Sequence, residues 1–530
     1  FPNTYTSYNY SEDNYVGSNM GRYCSLLEET TATYGREIKK HKFSVMVGQT
    51  WQEYNTYSIG GSGANILDTD PSNWYLSNTT TDKTESSDAV SRIRRLSFLG
   101  RAFYSYDNRY MVTVNFRADA SSRFTKNPWG FFPSAALAWR ISEEPWVKGK
   151  AAWLDNLKIR AGWGQVGNDG VGSNAFQQTM TTGTLVFTDY PLGLYPQEVI
   201  PGAAVLTQVN MDKWETNEQW DAGVDFSFWN GKLNGAIDYF RRNTLDALMN
   251  VIAPAQVGNM YPLVKNVGNI RNEGVEITLN HENKVGKVHY NIGGNISYIK
   301  NTLTDNNGGS PLWGDRTKTD VGMPVGSFWG YKYEGVYQSD EEALQQLTAY
   351  TKETIGVHAG DARYTDINGD GKINEDDQTY IGNPFPKLTY GINAGADFYG
   401  VDIQLFFQGV FGNQIYNALR ERTEGSGATN LMASYMKDQA WIGYNNDVQV
   451  ALMMQGLDVD KLENRKGTIP NPCGASTNNA NSSRFVEDGS YFRLKNLQIG
   501  YTFPRKWTEK FSCSRLRVYM TASNLFTVTK

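Results

Sequence analysis

Residues 366 to 377 read DINGDGKINEDD, and their oxygen donors fall at the spacing of a calcium loop. Asp366, Asn368 and Asp370 take the first, third and fifth positions, and Gly371 takes the sixth, where such a loop turns sharply. Lys372 offers its backbone carbonyl next, Asn374 stands where a water often mediates, and Asp377 closes the loop. Ca2+ is a hard cation that collects about 6–8 oxygens, and clustered carboxylates repel one another without one. The departure is at the closing position, where Asp replaces the longer Glu and makes bidentate closure harder. The flanks HAGDARYT and QTYIGNPFPKL have no helical period, and Pro384 and Pro386 break any helix there. A calcium sensor needs paired helices to open. The expectation is therefore a structural Ca2+ that pins an irregular loop through Asp366, Asn368, Asp370, Lys372, Asn374 and Asp377. An Asx-turn without an ion is the plainer alternative.

Other chemistry is thin. Cys24, Cys473 and Cys513 are far apart and, with four histidines in the chain, form no metal-ligand spacing and no disulfide framework. Paired acids occur at Glu143-Glu144 and Glu341-Glu342. A glycosidase needs two carboxylates flanking a bond, but both pairs read as solvated charge. Gly-x-Ser-x-Gly, His-Glu-x-x-His and phosphate-cradling loops are missing, so an enzyme is not expected. Lys and Arg number 50 against 55 Asp and Glu, with no basic block, which argues against nucleic acid. Mean hydropathy is -0.52, and no apolar run reaches the length of a membrane helix. A transmembrane β-barrel escapes that test, because lipid-facing and lumen-facing residues alternate.

The elements that carry these residues read as strands. In LKIRAGWG, Leu157, Ile159, Ala161 and Trp163 share one face, and Lys158, Arg160, Gly162 and Gly164 the other. AGVDFSF, VHYNIGGNISY, RYMVTVNFRAD and LRVYMTAS alternate likewise, and the parity slips near Lys495 and Asn496, as at a bulge. Asp107-Asn108, Asn230-Gly231, the segment 283–287 and Tyr399-Gly400 read as tight connections. Long polar stretches lie at 51–93, 166–218, 243–272, 300–387 and 412–490, and medium ones at 120–131, 143–156 and 504–515. About 14 strands with alternating short and long connections predict an all-β, up-and-down antiparallel transmembrane barrel. Trp139, Trp163, Phe226, Phe228, Tyr290, Tyr298, Tyr390 and Phe398 would form aromatic girdles on its apolar face. Lys158, Arg160, Asp225, Asp238, Asn291, Asn295, Asp397 and Gln404 would face the lumen.

Several segments resemble the SusC/RagA-type TonB-dependent outer-membrane transporters of Bacteroidetes. They are WGFFPSAALAWRISEEPW (129–146), LDNLKIRAGWGQVGN (154–168), the calcium-like loop with its sequel through GNPFPKLTYG to FFQGVFGNQIYN (366–417), RFVEDGSYFRLKNLQIGYTFP (484–504) and LRVYMTASNLFTVTK (516–530). The resemblance implies a barrel of about 22 strands with a plugged lumen, of which residues 1–530 are an internal portion. The export signal, TonB box and plug that the family places first, and at least one closing strand after Lys530, are expected outside this chain. The segments 300–387, with the loop 366–377, and 412–490 are expected to lie outside the cell.

The resemblance further implies active import of an oligosaccharide or peptide across the outer membrane, a SusD-like surface lipoprotein as lid, and energy delivered by TonB through the plug. Loop aromatics (Trp74, Tyr75, Tyr190, Tyr195, Trp313, Trp329, Tyr435 and Trp441) would grip substrate or pack the loops. Two other readings stay open: a siderophore- or cobalamin-type receptor on the same architecture, and a secreted calcium-binding β protein that binds or hydrolyses glycans.

Overall fold

The computed structural model describes residues 15–66, 70–84, 89–124, 127–170, 179–181, 204–207, 213–251, 263–266, 268–346, 358–425, 434–443, 449, 452–459, 463–472 and 476–529. Fourteen long strands, β1 to β14, dominate these residues. The chain separates into two compact units, residues 1–230 with 237–271 and residues 231–236 with 272–530.

The first unit contains β1 (Tyr15–Ile38), β2 (His41–Ile66), β3 (Ala89–Tyr106), β4 (Tyr110–Ser121), β5 (Trp129–Arg140), β6 (Leu154–Asn168), β7 (Glu215–Phe228) and most of β8 (Leu233–Leu245). They hydrogen-bond in sequence order, and the pairs from β1 to β7 are all antiparallel. The β5–β6 ladder begins at Ser134↔Gly164, so Pro133, which lacks an N–H, sits just beyond its last rung. Asp107 and Asn108 both take left-handed φ values, +53° and +54°, as a type I′ hairpin requires. At the β7–β8 turn the positive φ values run through Trp229, Asn230 and Gly231, one residue more than the Asn-Gly dipeptide predicts.

The second unit contains β9 (Asn269–Val285), β10 (Val288–Asp305), β11 (Leu388–Phe398), β12 (Val401–Phe411), β13 (Tyr491–Thr502) and β14 (Arg517–Thr529), again hydrogen-bonded in sequence order. Lys495 is skipped on both sides of β13, which confirms the expected bulge. Most of the unit's remaining residues belong to two long connections, 306–387 and 412–490. The first carries a four-stranded sheet (Leu312–Trp313, Thr317–Thr319, Ser327–Tyr331, Gln378–Gly382) and a ribbon of Tyr333–Val336 with Ala362–Tyr364. The second is anchored by Gln414–Tyr416 pairing with Val486–Asp488.

Connection lengths alternate as expected, with one correction. The stretch 51–93 is not all loop: β2 runs unbroken to Ile66, and β3 begins at Ala89. Beyond Ser58, where its ladder with β3 ends, β2 pairs with β1 and with the short strand Thr79–Thr84, through a stretch in which polar Thr, Ser, Asn and Gly obscure the period. Cys24 and Cys513 are free thiols, and Cys473 lies outside the described residues.

The two faces of each sheet differ in kind. On β4, Val112, Val114 and Phe116 are 36%, 48% and 49% exposed, while the other face carries Thr113, Asn115 and Arg117. Leu137 and Trp139 on β5, Val45 and Val47 on β2, and Ile292, Ile296 and Tyr298 on β10 are exposed in the same way. Within each unit, an exposed apolar band is what a wall in hydrocarbon needs. Aromatic side chains mark its limits in the first unit. Tyr106, Tyr110 and Trp139 stack in a row near the short turns, and Phe98 stacks on Trp129 near the long connections. Along β4, Tyr110 and the Phe98-paired Ala118 are eight residues apart, about 27 Å of strand, close to the height of a bilayer's apolar band.

The opposite face is polar, and glycines make room on it. A Cβ on Gly223 would collide with Asp238 Oδ1, and one on Gly293 with Asn280 Oδ1. Lys158 and Arg160 on β6 each reach Asp225 on β7 at 3.1 Å, and Arg160 continues to Asp238. The expected lumen positions of each unit thus do share a polar face.

Candidate functional site

The calcium-like loop precedes the strand Gln378–Gly382, which pairs with Ser327–Tyr331. The chain must reverse within a few residues here, and Gly369 and Gly371 permit it with φ of +74° and +78°. The side-chain oxygens converge on the loop's own backbone. One Asp366 oxygen accepts the Gly369 N–H and the other the Gly371 N–H, both at 2.7 Å. Asp377, fully buried, accepts the Ile367 N–H on one oxygen and the Asn374 N–H on the other, both at 2.9 Å. Asn368, Asp370 and Asn374 each accept an N–H two residues ahead. All these donors are hard oxygens, the kind Ca2+ takes, and each carboxylate oxygen keeps lone pairs beyond its hydrogen bond. No group of three His, Cys, Asp or Glu side chains arranged for a metal occurs among the described residues.

Beside the loop lies a recess of about 490 Å3, lined by residues that include Trp313, Arg316, Trp329, Glu375, Asp376 and Asn481. The Trp313 and Trp329 rings are 6.4 Å apart and nearly perpendicular, and the Lys318 ammonium stands 4.2 Å from the centre of Trp329. Arg316 donates to Glu421 from both Nε and Nη2.

A buried polar chain joins the two long connections of the second unit, and sequence reasoning missed it. Asn478 donates to Asp361 at 2.8 Å and accepts the Ala362 N–H. Arg484 donates to the Asn478 carbonyl and to Glu424, which also accepts from Arg420 at 2.6 Å and Tyr435 at 2.7 Å. Burial pushes the Glu424 carboxyl up, but the Arg420 and Tyr435 hydrogen bonds and the Arg484 charge outweigh it and hold it below the ordinary value. Burial also pushes the Tyr337 hydroxyl up to about 12. No local motif announces such a network, because its members are up to 117 residues apart.

The other expected residues fall as follows. Glu144 is not solvated charge: it is buried, accepting from Tyr110, Trp139 and Arg109. The short connection after β5 folds back under the aromatic row, and three donors replace its water. Glu143 pairs with Lys148, and Glu342 with Arg363; Glu341 lies with Glu342 in the short helix Asp340–Gln346. Trp441 is 5% exposed, so it packs the loop rather than offering a free ring. Tyr435 holds Glu424, Trp74 and Tyr75 flank two short 3-10 turns, and Tyr190 and Tyr195 lie outside the described residues.

Comparison with known proteins gives the architecture a lineage. The family model for "TonB dependent receptor-like, beta-barrel" matches residues 1–525. TonB-dependent receptor P3 of Formosa agariphila is 29% identical over 522 residues, covering 95% of this chain and 48% of that protein. TonB-dependent receptor SusC of Bacteroides thetaiotaomicron is 26% identical, covering 94% of this chain and 46% of that protein. The RagAB peptide transporter structure superposes with a TM-score of 0.78 at 23% identity, over 99% of this chain and 54% of that one, a likeness of fold. The chain spans about half the length of the curated relatives it matches. With its alternating faces, aromatic limits and long loops accounted for, the chain belongs to the TonB-dependent receptor-like β-barrel family and is an outer-membrane protein.

Proposed function

We propose that this chain is the barrel wall of an importer that carries an oligosaccharide or peptide across the outer membrane. In this reading a SusD-like lipoprotein covers the long loops and TonB supplies the energy. The observation that carries it is the order of the loops at one end of the wall. In the second unit, the connections 306–387 and 412–490 are tied together by buried charge, a rigid surface fit for a lid or a substrate. Similarity to SusC and to the RagAB peptide transporter supports the same reading. The loop 366–377 would hold Ca2+ as a structural ion, stiffening the rim of that surface.

The test is purification from outer membranes in mild detergent, followed by deletion. Co-purification of one surface lipoprotein, and loss of growth on a single oligosaccharide or peptide source in the deletion strain, is the expected result. A protein recovered without any lipoprotein partner, from a strain whose deletion changes growth on no polymer, would sink the reading.

A further inference from the structure

We infer that the connection 503–516, at the short-turn end of the second unit, is a lipid foot. It seats Trp507 and Phe511 at the edge of the bilayer and holds anionic phospholipid headgroups on Lys506 and Lys510. The inference goes beyond the import reading and is independent of the substrate.

Charge along the sequence opens the case. In the second unit, the short connections 286–287, 399–400 and 503–516 carry five Lys or Arg (Lys287, Arg505, Lys506, Lys510 and Arg515) and one acid, Glu509. The long connection 306–387, at the other end of the strands, carries thirteen Asp or Glu against seven Lys or Arg. The whole chain has a formal net charge of -5. A mildly acidic chain has thus sorted positive charge to one end of this unit. Short turns of outer-membrane barrels face the periplasm, and basic side chains beside a membrane attract anionic headgroups.

The apolar half of the foot continues the lipid-facing band. On β13, Ile499 pairs with Ile403 and Met520, and Tyr501 with Val401 and Val518. Residues paired across an antiparallel ladder share a face, and the five aliphatic ones here are all exposed. From Tyr501 the aromatic path runs on to Phe503, with ring centres 4.9 Å apart, and from Phe503 to Trp507 at 6.5 Å. Trp507 is 57% exposed and Phe511 83%. An indole at the end of a lipid-facing face, next to basic groups, stands where the headgroup layer meets hydrocarbon.

The foot is built rather than loose. Its base closes where the Phe503 N–H donates to the Leu516 carbonyl at 3.0 Å. Inside it, the Trp507 N–H donates to the Pro504 carbonyl at 2.8 Å and the Cys513 N–H to the Thr508 carbonyl at 3.1 Å, over a buried Thr508 side chain. Ser512 turns the chain back with a φ of +54°. Arg505 is spent on Glu509 at 2.7 Å, while Lys506 and Lys510 are exposed and carry no ion pair among the described residues. The neighbouring turn extends the rim: the Thr502 N–H donates to the Gly400 carbonyl, and Lys287 donates to the Tyr399 hydroxyl at 2.6 Å.

The experiment is tryptophan quenching in the full-length protein reconstituted into phosphatidylcholine vesicles, with brominated phosphatidylglycerol or brominated phosphatidylcholine added. The difference between wild type and Trp507→Phe isolates Trp507. Its quenching should show a preference of about three- to tenfold for phosphatidylglycerol, since each basic group near an anionic surface is worth about fivefold. The preference should vanish in the double variant Lys506→Gln with Lys510→Gln, and in about 1 M salt. Glu509→Gln, which frees Arg505, should raise it. Heat-modifiable gel mobility checks that each variant is folded. Equal quenching by the two lipids, or a preference that survives the double variant, would overturn the proposal. Trp507 quenched by neither lipid would also overturn it, with protein or water covering the foot instead.

Discussion

Arg484 and Glu424 meet inside the long-loop cluster, 60 residues apart in sequence, with side chains 3% and 0% exposed. Neither charge has water to fall back on. Removing one partner leaves the other buried and uncompensated, which costs about 3–5 kcal/mol. Arg484→Met should therefore loosen the 412–490 segment, seen as faster amide hydrogen exchange and new proteolytic nicks there. The double variant Arg484→Met with Glu424→Leu should recover much of the protection, because an apolar pair replaces an ionic one. Equal exchange in wild type and Arg484→Met would show that the pair organises nothing.

The same carboxylate sets a pH limit. Its folded pKa lies below the ordinary 4.5, because the Arg420, Tyr435 and Arg484 contacts outweigh its burial. A depressed carboxylate contributes stability that is present above the unfolded value and disappears as pH falls through the folded one. Loop protection should hold from neutral pH down to about 4.5 and fail below it, with the strands still folded. Glu424→Gln should remove that step. A loop that opens on raising the pH from neutrality would contradict the assignment.

Calcium should act locally on 366–377. If the loop binds at the affinity of extracellular modules, 1 mM Ca2+ should add about 0.4–1.4 kcal/mol of local protection. Chelation should expose residues 366–377 to protease, and Asp366→Asn with Asp370→Asn should mimic chelation in the presence of Ca2+. Gly371→Ala should weaken the loop with or without the ion, since φ of +78° strains any Cβ. Protease sensitivity that ignores both Ca2+ and chelator would leave the loop a plain hydrogen-bonded turn.

Much of the wall was legible because period-2 alternation is a local signal. Leu157, Ile159 and Ala161 against Lys158 and Arg160 state both strand and face in eight residues, and Tyr399-Gly400 states a turn in two. Legibility failed where tertiary partners decide. Glu144 reads as exposed until Tyr110, Trp139 and Arg109 come around it. Trp441 and Trp313 are alike in sequence, yet one is loop core and the other rims a recess. The far end of β2 has no clear alternation across Gly60, Gly61, Ser62 and Gly63, so its length is set by pairing with β1 and with Thr79–Thr84 rather than by its own pattern.

The apolar band offers the sharpest test of what surrounds this wall. Val114 lies midway between the aromatic limits of β4 and is 48% exposed. In water an exposed Val114→Arg would cost almost nothing. At the centre of a bilayer the same change costs about 2–4 kcal/mol. Thr113→Arg, one residue away on the polar face, should be tolerated in either setting. Folding into lipid vesicles, followed by heat-modifiable gel mobility, separates the two. Val114→Arg should reduce the folded fraction and Thr113→Arg should leave it near wild type. Equal folding of both variants would mean that the exposed valines and phenylalanines of β4 do not face lipid.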